Sequence, residues 1–256
     1  MSGFIANHQF VEVRASRTFS VFKTHTKSSQ VKNLFTDFRY EIVEATRGDT
    51  KAYNDAARLY NVGQFLDGQG AIDPLDPRYA TSGGVHFGRT GEWYAEQHSR
   101  QGARLLCAVS DRGEHLGHTL FFTEAEAFPP FASDTLWMRE IPGCKRLAYG
   151  YLTIVSPEIR GQTLVAQELA SERLLILMRE QVTLLGTEVF VLPHPNLPSL
   201  KFHRNQGAVS FGRQGRHVLT RPSGDIELVY AQFGLAMPGW KLVYDGGGKW
   251  SLAPDR

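Results

Sequence analysis

The chain has 256 residues, of which 42% are hydrophobic and 21% charged, and its formal net charge is +2. This composition supports a packed core and excludes wholesale disorder, and the nearly balanced charge argues against a nucleic-acid partner. The two cysteines, Cys107 and Cys144, are too few for a disulfide framework, so we expect a reducing, cytoplasmic setting. No secretory signal is recognisable, and no apolar run reaches the ~18–20 residues of a membrane span. We therefore expect neither a membrane nor a nucleic acid as partner.

The first half of the sequence alternates short apolar segments with Gly- and Pro-rich loops. Residues 1–38 predict an N-terminal arm or hairpin. A strand is then predicted at residues 40–46, a helix capped by Asp49 at 51–65 and a short helix at 91–101. A two-stranded hairpin is predicted at residues 104–110 and 115–123. Two long segments, 67–91 and 124–146, are rich in Gly, Pro or acidic residues, and we predict them as irregular insertions.

The second half is organised around one strand, one tight loop and one long helix. The strand Leu147–Val155 ends at Ser156-Pro157, and Arg160-Gly161-Gln162 leads into apolar residues at helical spacing over 161–185. Gly186 is predicted to stop this helix. A second strand, joined by a right-handed crossover, a short helix closed by Gly207 and two hairpins then follow, at residues 188–192, 197–206, 210–233 and 234–256.

The loop before the long helix has the physical properties of a phosphate site. The first N–H groups of a helix have no partner within the helix, and the helix dipole adds positive charge there. Val155-Ser-Pro157 followed by Arg160, together with the segment from Asn196 through Ser199, Phe202 and His203 to Gly207, resembles the GNAT acyltransferase superfamily. That resemblance is the basis for the expectations that follow.

The resemblance implies an α/β protein with the GNAT fold. In that fold a mixed, mostly antiparallel central sheet is flanked by helices, and two parallel central strands splay apart. We expect the GNAT acyltransferase domain to span residues 39–233. It would be preceded by the arm of residues 1–38 and followed by a C-terminal hairpin extension over 234–256.

The resemblance also implies acetyl-CoA, or another acyl-CoA, as co-substrate and no metal. The backbone of the loop would hold the pyrophosphate with charge from Arg160, and the pantetheine arm would pair with the strand ending at Val155. Thr163 and Val165 depart from the small residues usual in the loop, and an ordinary turn entering a helix is the alternative interpretation. The predicted coenzyme-binding residues are Leu152, Ile154, Val155, Arg160, Gly161, Gln162, Thr163, Leu164, Val165, Asn196, Ser199 and Phe202.

The catalytic candidates are His203 and Glu124. His203 occupies the position at which the family often has a tyrosine acid, so it is predicted either to protonate the leaving thiolate as an imidazolium or only to hydrogen-bond the coenzyme. A surface or capping histidine is the alternative. Glu124 is a candidate general base, with a solvated acidic loop as the alternative.

Aromatic residues are the candidates for the acceptor pocket. Tyr149, Tyr151 and Trp137 are predicted to bind the substrate, and Phe131 is a further candidate for a hydrophobic wall. Each of these rings could instead serve packing alone.

These expectations converge on an acyl-CoA-dependent N-acyltransferase, most simply an N-acetyltransferase. The acyl group would pass directly to the amine of a small molecule or a protein, with no cysteine intermediate. The alternatives are a transferase for longer acyl chains that uses acyl-CoA or acyl carrier protein, and a catalytically idle GNAT-like binding module. A homodimer formed through the arm or the tail also stays open.

Overall fold

A computed structural model of the protein describes residues 31–33, 36–66, 72–73, 75–82, 88–161, 163–220 and 224–255. The predicted N-terminal arm therefore falls mostly outside the described residues. Its last part forms an antiparallel pair of short strands, β1 (Val31–Asn33) and β2 (Thr36–Phe38).

A seven-stranded mixed sheet, ordered β3-β4-β5-β6-β7-β9-β8, forms the centre of the fold. Every neighbouring pair is antiparallel except β6 and β7, which are parallel. This arrangement confirms the predicted fold class. The strands are β3 (Tyr40–Glu44), β4 (Ala103–Ser110), β5 (His115–Phe122), β6 (Leu147–Val155), β7 (Leu184–Leu192), β8 (Val209–Leu219) and β9 (Ile226–Ala236).

Helices cover both faces of the sheet because successive side chains of a strand point to opposite faces. On β4, Leu105 and Cys107 pack in a cluster with the helices of residues 50–61 and 91–99, whereas Leu106 and Ala108 pack in a cluster with the helix of residues 165–179. The five α-helices are α1 (Thr50–Asn61), α2 (Tyr79–Ser82), α3 (Gly91–Ser99), α4 (Val165–Arg179) and α5 (Leu197–Asn205) within the described ranges.

The long helix is shorter than the sequence predicts. α4 covers Val165–Arg179 instead of 161–185, and Gln181 follows it with a left-handed φ of 57°. Gly186 does not stop the helix but lies inside β7, where an added Cβ would come within 2.8 Å of the Met138 sulfur. The apolar pair before Gly186 belongs to the strand, and apolar periodicity alone does not separate the end of a buried helix from the start of a buried strand.

The insertion at 124–146 is more regular than predicted. It contains two 3₁₀ helices, Ala125–Ala127 and Pro130–Glu140, and it buries Met138 completely. The C-terminal hairpin, β10 (Trp240–Tyr244) with β11 (Trp250–Pro254), packs against this insertion, and the Leu252 N–H donates to the Pro142 carbonyl oxygen at 2.7 Å. The predicted hairpin is thus present, while the domain boundaries stay a prediction.

The two parallel strands separate halfway along their length. Their register runs only from Leu147 with Leu184 to Gly150 with Thr187. Tyr151 is the extra residue of a β-bulge between β5 and β6, and a bulge bends its strand and increases its twist. Beyond the bulge, β6 continues along β5 and β7 continues along β9, so a V-shaped opening lies between them.

Replacing Asn196 tests how α5 is fixed beside this opening. Its side chain accepts a hydrogen bond from the Ser199 N–H at 3.0 Å and caps the helix. We expect Asn196→Ala to lower the free energy of unfolding by about 1 kcal/mol in chemical denaturation, because the cap is lost. Asn196→Asp keeps an acceptor and should retain most of the stability. Equal losses in both variants would contradict the capping role.

Candidate functional site

A cleft of about 280 Å³ lies between the separated ends of β6 and β7. The α5 helix and the start of α4 complete its walls. Residues predicted from the sequence that line it are Tyr151, Leu152, Ile154, Val155, Arg160, Asn196, Ser199, Phe202 and His203. Tertiary structure therefore brings together the strand and short-helix residues that the sequence separates by about forty positions.

The loop into α4 keeps the geometry of a helix N-terminus open to a ligand. Gly161 has a φ of 77°, a conformation that favours glycine, and Gln162 lies outside the described residues. Leu164 occupies the N-cap position, and no side chain caps the helix from there. The first-turn N–H groups and the helix dipole thus supply the binding potential of this end.

Two side chains of the loop, those of Thr163 and Val165, are engaged within the protein. Val165 is fully buried in the core, where it packs close to Gly117. The Thr163 hydroxyl donates to the Ile159 carbonyl oxygen at 3.4 Å. The departures from small residues at these two positions therefore leave the backbone as the part that could contact a phosphate.

Arg160 links the loop to the end of β6. Its guanidinium donates to the Val155 carbonyl oxygen at 3.2 Å, and burial lowers its pKa from the ordinary value for arginine. It lines the cleft beside that strand end. A positive charge consequently lies between the predicted pyrophosphate loop and the cleft.

Glu188 is a cleft residue that the sequence reasoning missed. Its carboxylate accepts hydrogen bonds from the Tyr149 hydroxyl and the Gln232 side-chain amide, both at 3.1 Å. Burial raises the pKa of Glu188 to about 7, although these two hydrogen bonds act in the opposite direction and Asp134 adds to the rise. A carboxyl group with this pKa exchanges protons readily near neutral pH.

A network behind Glu188 fixes its position. The Gln232 amide group donates to Glu188 and to the Asp134 carbonyl oxygen, while the Trp137 indole N–H donates to the Gln232 oxygen at 2.8 Å. Gln232 is almost completely buried. These contacts determine which end of the amide faces Glu188.

Two of the predicted substrate-binding residues belong to this supporting network instead of the cleft wall. Tyr149 is buried and contacts Glu188, and Trp137 is one residue further away, packed against Phe211 and beneath Arg213. Their aromatic character suggested a pocket wall, but Tyr149 packs in the core and Trp137 packs against Phe211. A charged residue in the otherwise apolar strand LLGTEVFVL was the available signal for Glu188.

Tyr151 does line the cleft, and a polar and aromatic group surrounds it. Arg89 donates to its hydroxyl oxygen at 3.0 Å, and the Tyr60 hydroxyl also interacts with it. Its ring packs against Phe131 at 4.6 Å and Trp93 at 5.5 Å between centroids. The predicted aromatic wall therefore consists of Tyr151 with Phe131 behind it.

Glu124 follows the C-terminal end of β5, which is opposite to the end of β6 that borders the cleft. Because β5 and β6 are antiparallel, the C-terminal end of β5 is next to Tyr149 and distant from the end of β6. Glu124 there lies 3.4 Å from the Arg146 guanidinium and borders a separate cavity. The structure thus corrects its assignment as the base in the acceptor cleft.

His203 lines the cleft but is not an imidazolium at neutral pH. Its ring stacks on Phe233 and contacts Phe202. Burial, with a further contribution from the positive charge of Arg173, lowers the pKa of His203 to about 3. The predicted role as a cationic acid is therefore wrong, while hydrogen bonding to a coenzyme stays a prediction for the neutral ring.

No group of three or more His, Cys, Asp or Glu side chains in the described part of the chain is arranged to hold a metal ion. Among the described helices, none combines the length and apolar character needed to cross a membrane.

Comparison with known proteins gives matches in structure but not in sequence. No protein-family model matches the chain, and no curated protein matches it in sequence. An N-acetyltransferase from Staphylococcus aureus Mu50 superposes with a TM-score of 0.50 at 15% identity, over 77% of this chain and 98% of the other. Ard1 from Thermoplasma volcanium superposes with a TM-score of 0.49 at 12% identity, over 77% of this chain and 97% of the other. The ribosomal-protein-S18-alanine N-acetyltransferase from Escherichia coli superposes with a TM-score of 0.48 at 11% identity, over 77% of this chain and 94% of the other.

The low pKa of His203 predicts an acid-sensitive contribution to stability. The folded state holds the ring neutral, whereas the unfolded chain takes up a proton below about pH 6.5. The contribution is therefore complete above pH 6.5 and declines as the pH falls towards 3, by at most about 1.4 kcal/mol per pH unit. In chemical denaturation, the free energy of unfolding should fall less between pH 7 and pH 5 for His203→Gln than for the wild type. Identical losses would contradict the buried, neutral state.

Proposed function

We propose that this chain, which has the fold of the GNAT acyltransferases, transfers an acyl group from an acyl-CoA to an amine. The observation that carries the proposal is Glu188, a carboxyl group with a pKa of about 7 that lines the cleft between the splayed strands. An acetyl group is the simplest one to transfer. The amine of a small molecule or of a protein is the proposed acceptor, and a cytoplasmic setting stays part of the proposal.

The donor would bind along the opening between β6 and β7. An extended arm with amide groups can add to a strand edge through main-chain hydrogen bonds, and the outer half of β6 lacks β7 as a neighbour. The phosphates would then reach the N-terminus of α4, where N–H groups and the helix dipole favour anions. Arg160 adds a cation between the two regions.

Glu188 is the proposed general base. Its carboxylate removes a proton from the acceptor ammonium, and the neutral nitrogen attacks the thioester carbonyl carbon. The new C–N bond forms, the C–S bond breaks, and the electron pair leaves with sulfur as a thiolate. Tyr149 and Gln232 hold the carboxylate in place through the two hydrogen bonds described above.

Tyr151 is the proposed proton donor to the departing thiolate. Arg89 donates to the Tyr151 oxygen, so the phenolic proton is directed elsewhere, and the residue lines the cleft. This assignment replaces the cationic form of His203 as the acid. The nitrogen loses its second proton as the amide forms, and this proton replaces the one that Tyr151 gives to the thiolate. The proton taken by Glu188 passes to solvent at the end of the cycle.

The structure supports an enzyme better than a catalytically idle module that only binds a ligand. A module that only binds a ligand has no need for a partly buried carboxylate held by a tyrosine, a glutamine and, through the latter, a tryptophan. Transfer of longer chains is the second enzymatic candidate, and the 3₁₀ helices at 125–140 place Phe131 against the cleft residue Tyr151. That packing narrows the aromatic side of the cleft, which favours short acyl groups.

Substitution of Glu188 tests the base. We expect Glu188→Gln to lower kcat at least about 100-fold, because general-base catalysis contributes a factor of this order. The wild-type profile of kcat/KM against pH should rise through a pKa of about 7, and the variant should lack this step. The rate of acyl transfer to an amine would be measured through the release of free thiol.

The matched control is Glu124→Gln, at the other candidate carboxylate. It should leave kcat and the pH profile unchanged, because Glu124 lies at the opposite end of β5. A large loss in Glu124→Gln with none in Glu188→Gln would exclude the proposed base.

Charge reversal at Arg160 tests the donor site. Arg160→Glu should abolish thermal stabilisation by acetyl-CoA, because a carboxylate would repel the phosphates beside the loop. The unfolding temperature without ligand should stay within a few degrees, since Arg160 is an exposed residue. Unchanged affinity for acetyl-CoA in calorimetry would contradict the assigned donor site.

A further inference from the structure

Arg173 is a buried cation at the apex of the V-shaped opening. It lies in α4, is 1% exposed and lines the cleft. Its Nη1 atom lies 3.2 Å from the position that a Cβ on Gly150 would take. Gly150 is the last residue of β6 that pairs with β7, so the guanidinium sits where the two strands part.

The charge of Arg173 has no anionic partner in the described part of the chain. Its one hydrogen-bond acceptor there is the Gln206 side-chain oxygen at 3.3 Å, and its buried Nε has none. By contrast, Arg104 and Arg146 each pair with two carboxylates. Burying a cation without a counter-charge is costly, so a site of this kind favours an anionic ligand.

The pKa values of Arg173 and of its neighbour His203 are consistent with a positive charge that no carboxylate balances. Burial lowers the pKa of Arg173 to about 10, with no acidic neighbour acting against it. Its charge in turn contributes to the low pKa of His203 on α5. The α4 and α5 side of the apex is therefore positive, whereas the carboxylate of Glu188 is held by Tyr149 and Gln232.

The phosphates of the donor are too distant to be this ligand. Arg173 follows the first helical residue, Val165, by eight positions, which corresponds to about 12 Å along the axis of an α-helix. An anion bound at the N-terminus of α4 therefore lies about two turns from the Cα of Arg173, whose guanidinium extends to Gly150 at the apex. In the binding mode proposed above, the part of the donor that would reach the apex is the acyl end of the arm.

We propose that Arg173 binds a free carboxylate at the end of the transferred acyl group, so that the donor is the CoA thioester of a short dicarboxylic acid. The inference rests on the proposed acyltransferase function. Guanidinium and carboxylate form charge-assisted, often bidentate hydrogen bonds, which are the strong ones in proteins. The missing Cβ at Gly150 lets the guanidinium lie against the strand, and both residues line the cleft that the carboxylate would enter. Arg173 thus determines which acyl group is accepted, and Glu188 activates the amine.

Matched donors of equal chain length test the inference. Succinyl-CoA with butyryl-CoA, and malonyl-CoA with propionyl-CoA, differ at the terminal group. In the wild type we expect kcat/KM to favour the charged member of at least one pair by 10-fold or more. Arg173→Met keeps the length of the side chain and removes the charge, so the preference should disappear or reverse. Arg173→Lys should retain part of it.

Arg179→Met is the control, since it makes the same substitution at an exposed position of the same helix. It should leave the preference unchanged. If Arg173→Met fails to fold in a thermal unfolding assay, the wild-type ratios and Arg173→Lys decide the question. Equal use of both members of each pair by the wild type would overturn the inference.

Binding of free CoA separates this inference from the proposed function. If CoA binds and neutral thioesters are turned over as well as charged ones, the acyltransferase stands and the role of Arg173 is refuted. If neither CoA nor any of the four thioesters binds or reacts, the proposed function fails and the inference fails with it.

Discussion

The separation of β6 from β7 is the constraint on which the rest of the site depends. Two parallel strands that stayed paired along their whole length would leave no opening in the sheet. The bulge at Tyr151 bends β6 towards β5 and ends its ladder with β7 after Gly150. Each strand keeps its outer neighbour, so the sheet stays intact while its centre opens.

Because the opening passes through the sheet, groups from both faces reach the same cleft. Arg173 comes from the α4 face, and Glu188 is held from the face that carries Tyr149. Their surroundings differ: Glu188 is fixed by a hydrogen-bond network, whereas Arg173 has no carboxylate among its described partners. We therefore propose that Arg173 recognises the donor on one side of the cleft and that Glu188 activates the amine on the other.

Local sequence signals predicted the elements well where each residue's role depends on its neighbours along the chain. Asp49 caps the helix that follows it, as its side chain and position suggest. The central strand Leu147–Val155 has the bounds that its apolar run predicts. The end of α4 was misplaced because the apolar residues of helix and strand run together there, and a left-handed Gln181 marks the boundary.

The sequence by itself determined the strand–loop–helix unit, because capping, apolar periodicity and turn chemistry act between residues close in the chain. Its resemblance to the GNAT superfamily supplied the expected fold class and the candidate residues around the loop and α5. Only the tertiary structure decided the chemistry of the cleft. It placed Glu188 in the cleft and Glu124 beside a separate cavity, buried the ring of His203 so that its pKa falls, and placed the charge of Arg173 at the apex. Burial and long-range charge set these properties, and neither is a function of local sequence.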